Sequence, residues 1–164
     1  MSKLTQDVET LVVMAGIGVA QRSGGLRTLL GSCVGVAIYE RKLKIVGLAH
    51  IVMPDSMGRD HPIGKYADTA IPETIRRMAT LAGTGRMSLS AKIAGGANMF
   101  AHVSPNNANS IGEQNIVAVE KTLAAMSIPI LARHLGGHSG RRMVVDAETG
   151  SLQIHVIGQS VVQL

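Results

Sequence analysis

The chain has 164 residues, 46% of them hydrophobic and 16% charged, which excludes global disorder; its 19 glycines keep no G-X-Y period, which excludes collagen. The net charge is +5, yet the Lys and Arg residues form no stripe, and Tyr39, Tyr66 and Phe100 are the whole aromatic set. A nucleic-acid reader is therefore excluded, and the charge favours an acidic protein partner.

In chain order, residues 8–20 are expected to form a strand broken by Gly16 and Gly18, and residues 21–27 a loop. Two β-branched runs follow, Ser32–Glu40 and Lys44–Ile51, separated by a charged turn. Residues 54–64 carry two prolines and two glycines and are loop chemistry. Helical spacing of Ile71, Ile75, Met78 and Leu81 predicts a helix over about 66–82, with Pro72 suggesting that its true start lies near that residue. Residues 90–96 are the next strand, and 104–110 a polar loop. Ser110 and Glu113 form a capping-box pattern ahead of a helix whose Ile116, Val119, Leu123 and Met126 lie on one face. A strand at 128–132, a loop at 136–140 and a hairpin of 142–146 with 152–157 complete the chain. Strands in adjacent pairs with two helices inserted predict an α/β (α+β) layered sandwich. Its sheet is mixed or antiparallel, its helices pack on one side, and regular βαβ alternation is absent. One domain covering 1–164 is expected.

Cys33 is the sole cysteine, so no intramolecular disulfide can form. The polar start MSKLTQDVET has no apolar stretch, and the longest apolar run, Leu29–Tyr39, is shorter than the ~20 residues that span a bilayer. A soluble cytoplasmic protein without membrane insertion is the expectation.

Pairing Ser32–Glu40 with Lys44–Ile51 through a turn centred between Arg41 and Lys42 sets Tyr39 opposite Lys44, Ala37 opposite Val46 and Gly35 opposite Leu48. The next pair in that series is Cys33 with His50. Directly opposed side chains have Cβ atoms about 4.5–5.5 Å apart. A thiol at neutral pH is a weak nucleophile unless a base takes its proton, and a histidine in reach supplies one. Gly31 and Ser32 permit a sharp turn whose backbone N–H groups can face a developing oxyanion, and the Thr28 hydroxyl can orient the imidazole. Together these are the parts of a thiol acyl-transfer site.

The segments carrying these residues, T-L-L-G-S-C-V-G-V-A-I-Y (Thr28 to Tyr39) and G-L-A-H-I-V-M-P-D-S (Gly47 to Ser56), resemble the CheD family of chemoreceptor glutamine deamidases. The resemblance continues through K-Y-A-D-T-A-I-P (Lys65 to Pro72), A-K-I-A-G-G-A-N-M-F (Ala91 to Phe100), I-G-E-Q-N (Ile111 to Asn115) and I-P-I-L-A-R-H-L-G-G-H-S-G-R (Ile128 to Arg141). It implies Cys33, His50 and Thr28 as the catalytic set. It also implies a layered sandwich and deamidation of receptor glutamines to glutamate through a Cys33 thioester, with release of ammonia and no metal or organic cofactor. Chemotaxis receptors are the implied substrates, and a CheC-like phosphatase the implied partner. Departures are Thr28, which stands five residues before the cysteine where some members have it six before, Gln114, where arginine is common, and His138 in the G-G-x-x-G loop.

Other readings compete. A non-catalytic adaptor would bind receptor helices or the phosphatase without chemistry, and a thiol hydrolase would act on another acyl substrate such as glutamyl methyl esters. A ligand-binding module would use the loops at Gly95-Gly96 and Gly136-Gly137, but these lack any phosphate-binding pattern and read as turns, which the CheD resemblance implies border the active face. His134 and His138 are four apart, yet the intervening glycines disfavour the helical face that a zinc pair at that spacing uses. Asp68 and Glu73 are explained by placement near a helix start, and Arg141-Arg142 reads as a solvated pair or part of a surface for an acidic partner.

Overall fold

The computed structural model describes residues 8–103 and 110–164. In chain order its elements are β1 (Val8–Leu11), β2 (Ile17–Gln21), β3 (Gly24–Leu30), β4 (Val34–Glu40), β5 (Ile45–Ile51), α1 (Ala67–Ala82), β6 (Leu89–Gly95), α2 (Ile111–Ala125), β7 (Ile130–Leu135), β8 (Arg141–Asp146), β9 (Leu152–His155) and β10 (Val162–Gln163). They form two five-stranded sheets, ordered β1-β3-β8-β9-β10 and β2-β5-β4-β6-β7. Both are mixed: β1 runs parallel to β3 and β6 parallel to β7, while the other neighbours are antiparallel. This is the layered α+β arrangement that the strand pairs predict, with the helices against one face of the second sheet.

The period-2 alternation of β4 and β5 explains the layering. Val34, Val36 and Ile38 of β4, with Ile45, Ala49 and Ile51 of β5, pack against Ala67, Ala70, Ile71 and Met78 of α1 and Val119 and Leu123 of α2. Ala37, Val46 and Leu48 point the other way, onto Leu26, Leu30, Met143, Val145, Leu152 and Ile154 of the first sheet. The two strands are thus buried on both faces, which is why they read as continuous apolar runs.

Several boundaries differ from the sequence reading. The stretch 8–20 is two strands in different sheets, separated where Ala15 takes a left-handed φ of 59°. The loop expected at 21–27 is instead the start of β3, whose Leu26, Thr28 and Leu30 alternate into the core behind two glycines that mimic a turn. Helix α1 begins at Ala67, with Pro72 inside it on the exposed side rather than at its start. The Asp68 carboxylate in its first turn accepts bonds from Ser56 N–H (2.9 Å) and Ser56 Oγ–H (2.6 Å), fastening the preceding loop. Strand β4 starts at Val34 rather than Ser32, β7 lies two to three residues later than expected, and β10 carried no sequence signal. Parallel β6 and β7 are joined through α2, a βαβ connection inside an otherwise irregular order. Most of the loop expected at 104–110 lies outside the described residues. Ser110 caps α2, accepting from Glu113 N–H at 3.1 Å. Among the described residues, no helix is long and apolar enough to cross a membrane.

Candidate active site

The β4–β5 hairpin pairs Glu40 with Ile45, so its turn holds four residues, Arg41 to Lys44, not two. Lys44 adopts a left-handed φ of 52°, and the Glu40 carboxylate accepts from Leu43 N–H at 2.7 Å. The register is consequently two residues from the expected one: His50 stands opposite Gly35 rather than opposite Cys33. Because the slip is even, it leaves every side chain on its expected face. Cys33 and His50 are thus diagonal neighbours on the side turned toward the first sheet, with Cβ atoms roughly 7–8 Å apart in such a pair, within reach for long side chains. Gly35 lies between them as a bare position. A Cβ there would stand 2.5 Å from Met143 Sδ and 3.0 Å from Leu30 Cδ1, so the close approach of the two sheets requires glycine.

From the opposite sheet, β3 turns Thr28 inward, 1% exposed. Its Oγ1 lies 2.7 Å from His50 Nδ1 and 2.7 Å from the Val12 carbonyl. A hydroxyl has one proton, and a carbonyl can only accept, so Thr28 donates to Val12 and accepts from His50 Nδ1–H. That fixes the tautomer: Nδ1 carries the proton and Nε2 keeps its lone pair. Nε2 is buried and has no hydrogen-bond partner. The His50 backbone is held as well, its N–H donating to the Gly16 carbonyl and its carbonyl accepting from Ala15 N–H, each at 3.1 Å. Burial pushes the His50 pKa down and the Cys33 pKa up, the latter partly offset by a hydrogen bond from Cys33's own backbone. Both groups rest neutral.

Residues 31–33 join the two sheets, and all three of their carbonyls are taken. Gly31 accepts from Ala97 N–H (3.0 Å), Ser32 from the Asn115 side chain (3.1 Å) and Cys33 from Gly96 N–H (2.9 Å). In a planar trans peptide the N–H points opposite the preceding carbonyl. Anchoring the Gly31 and Ser32 carbonyls toward β6 and α2 therefore turns the Ser32 and Cys33 amides the other way. The loops at Gly95-Gly96 and Gly136-Gly137 do border this turn: Gly136 N–H donates to the Gly95 carbonyl, and Asn98 N–H to that of Gly137, each at 2.9 Å. A groove of about 920 Å³ opens beside Gly31, with Leu29, Met99, His138, Arg142 and Ile157 among its walls.

Comparison with known proteins gives this arrangement a family. The family model described as CheD chemotactic sensory transduction matches residues 52–156. A probable chemoreceptor glutamine deamidase CheD of Clostridium botulinum (strain Alaska E43) is 39% identical over 163 residues, covering 97% of this chain and 99% of the relative. The chain belongs to the CheD family. A chemoreceptor glutamine deamidase CheD of Halalkalibacterium halodurans is 43% identical over 152 residues (90% and 93% covered), and a probable one of Methanococcus vannielii 42% over 144 residues (87% and 92%). The matched span of the CheD model begins after Thr28, Cys33 and His50, so the geometry at those residues is evidence separate from that match.

Against this CheD framework the remaining candidates resolve. Thr28 and His50 are in direct contact, and Cys33 lies in the apolar cluster between the sheets without a hydrogen bond to His50 Nε2. Glu73 is held by Arg76 and Arg77 on the α1 surface, which lowers its pKa to about 2. His134 Nδ1 meets Arg141 Nη1 at 2.9 Å, and His138 donates to the Asn98 carbonyl at 3.2 Å, so the two imidazoles serve different contacts. Among the described residues, no three His, Cys, Asp or Glu side chains gather where they would hold a metal. Arg141 corrects the solvated reading: it is 6% exposed, and its guanidinium donates to the His134, Gly136 and Ser139 carbonyls, bracing the glycine loop. Arg142 pairs with Glu9 at 3.0 Å. Asn115 was missed as a separate feature, although a polar residue inside the buried stripe Gly112, Ile116, Val119, Leu123 was the available signal.

Proposed function

We propose that the chain is a cytoplasmic protein-glutamine deamidase acting on chemotaxis receptors, that residues 1–164 form one deamidase domain, and that Cys33 is its nucleophile. The observation that carries this reading is the 2.7 Å contact between Thr28 and His50 Nδ1, which leaves Nε2 as the free base on the side of the sheet that holds the only thiol. Family membership, with relatives named as chemoreceptor glutamine deamidases, supports the substrate class.

In this mechanism the Cys33 thiol gives its proton to His50 Nε2 as sulfur attacks the side-chain amide carbon of a glutamine. The C–S bond forms, and the carbonyl π pair moves onto oxygen, where backbone N–H groups of the Gly31–Ser32–Cys33 turn receive it. The neutral resting pair suits this concerted transfer, because no thiolate is stored and none is wasted on other electrophiles. Collapse breaks the C–N bond, the imidazolium proton goes to nitrogen, and ammonia leaves a glutamyl thioester. Water then attacks, His50 takes its proton, the C–S bond breaks, and the thiolate recovers that proton. One glutamine and one water yield one glutamate and one ammonia. Thr28 keeps the imidazole in the required tautomer throughout, and none of these steps uses a cofactor.

The +5 charge and the groove beside Gly31 suit an acidic, amphipathic receptor helix as the docked element. A CheC-like phosphatase is the protein partner that family membership suggests, to be tested by co-purification of the two purified proteins. For the reaction itself, a receptor cytoplasmic fragment is incubated with enzyme and its glutamines are followed by mass spectrometry. Conversion to glutamate by the wild type and none by Cys33→Ala is expected; no conversion by the wild type, or undiminished conversion by the variant, refutes the reading.

A further inference from the structure

We infer that Asn115 is a positioning residue for this chemistry, a clamp on helix α2 that sets both the direction of the Cys33 amide and the spacing of the nucleophile turn from the strand carrying His50; the inference rests on the Cys33–His50 reading above. Asn115 is fully buried, and its Nδ2 group spends its two protons on two carbonyls from different segments, Ser32 at 3.1 Å and Val52 at 3.0 Å. One precedes the nucleophile and the other follows the base by two residues. Both are acceptors, which identifies the nitrogen end of the amide unambiguously.

Two consequences follow from peptide geometry. Holding the Ser32 carbonyl toward α2 turns the Cys33 N–H away from it, because the two lie trans across one planar unit. Holding Val52 by the same amide group fixes the width between residue 32 and the end of β5. That width matters because the hairpin register makes Cys33 and His50 diagonal rather than directly opposed. The ladder ends at the Val34–Ile51 pair, and the Asn115 contacts extend the fixed spacing one residue further, to Ser32 and Val52.

The helix is itself anchored for the task. A Cβ on Gly112, one turn before Asn115, would come within 2.5 Å of the Gly96 and Ala97 carbonyls, so the first turn of α2 lies directly on the segment that binds the Gly31 and Cys33 carbonyls. Asn115 Oδ1, by contrast, is buried without a partner. The two carbonyl contacts are the feature that requires asparagine.

The test uses the full chain with Asn115→Ala and Asn115→Ser, the serine retaining a single donor too short to span both carbonyls. Val119→Ala, a fully buried core truncation on the same helix, serves as the stability control. Deamidation of a receptor fragment is measured below the melting temperature of every variant. Alkylation of Cys33 by iodoacetamide is followed across pH in parallel, since it needs no receptor. A misplacement of about 1 Å costs roughly 100-fold, so kcat in both Asn115 variants is expected to fall by about that factor with KM nearly unchanged. Their alkylation profiles are expected to lose the inflection due to His50 and keep only that of the thiol. Val119→Ala is expected to lower melting temperature while preserving kcat and both inflections. Wild-type kcat and both inflections in the Asn115 variants would overturn the inference, as would an equal loss of kcat in Val119→Ala at matched stability. Absence of deamidation by the wild type refutes the deamidase reading instead, and the alkylation profiles still decide whether Asn115 couples the imidazole to the thiol.

Discussion

Replacing Thr28 with valine preserves volume and removes one hydroxyl. Two 2.7 Å bonds disappear, leaving the Val12 carbonyl and His50 Nδ1–H buried without partners. Each lost bond is worth about 0.5–1.5 kcal/mol net, and each stranded group costs about 1–3 kcal/mol, so Thr28→Val is expected to lower stability by about 2–4 kcal/mol. The catalytic loss has a separate origin. Without Thr28 the imidazole proton is free to sit on Nε2, where it blocks the base. A tautomer bias of about 1.4–2.8 kcal/mol corresponds to about 10–100-fold in kcat. Thr28→Ser, which keeps the hydroxyl, is expected to recover most of this. The assay is glutamine-to-glutamate conversion in a receptor fragment, read by mass spectrometry at a temperature where circular dichroism shows every variant folded. Valine and serine variants both within a factor of two of wild-type kcat would refute the assignment of Thr28 as the group that orients His50.

Further outcomes are expected from the same geometry. Burial lowers the His50 pKa, so the acid limb of kcat/KM is expected below the ordinary value of about 6.5, because the free protein loses its base only when the imidazole is protonated. The unfolded chain then binds more protons below about 6.5, so stability falls with falling pH, and His50→Gln is expected to flatten that slope in denaturant titrations. Burial raises the Cys33 pKa, so its alkylation rate should keep climbing above neutral pH and show no acidic thiolate plateau. Gly35→Val drives side-chain atoms into Met143 and Leu30 between the sheets; a loss of about 1–3 kcal/mol in urea unfolding is expected, with reduced deamidation because His50 stands opposite. Glu73, held down to about 2 by Arg76 and Arg77, contributes stability present above its unfolded value and lost as pH falls toward 2; Glu73→Gln should therefore cost about 0.3–0.5 kcal/mol per ion pair at neutral pH and nothing at the acid end.

The face of the site was legible because strand alternation has period two: whichever even register the hairpin takes, Cys33 and His50 share a side. The register itself was not, since it depends on whether the turn holds two residues or four, and composition alone does not show that the Glu40 carboxylate takes Leu43 N–H to close the longer turn. Thr28 was legible as a hydroxyl near Cys33, but its route to His50 was hidden. It reaches across from β3, which the Gly24-Gly25 pair disguised as a loop. Helix α1 shows the opposite failure, where Pro72 suggested a start that the Ser56–Asp68 contacts and an exposed proline make unnecessary. Strand β10 has two residues and no pattern of its own, existing only because β9 offers an edge.

A covalent thioester on Cys33 that precedes hydrolysis would be intercepted by hydroxylamine in competition with water. A receptor fragment is deamidated in the presence of increasing hydroxylamine, and its target glutamines are analysed by mass spectrometry. Glutamyl hydroxamate is expected in proportion to hydroxylamine, formed at the expense of glutamate, with neither product from Cys33→Ala. Glutamate alone at every hydroxylamine concentration, or hydroxamate formed equally by Cys33→Ala, would contradict the thioester.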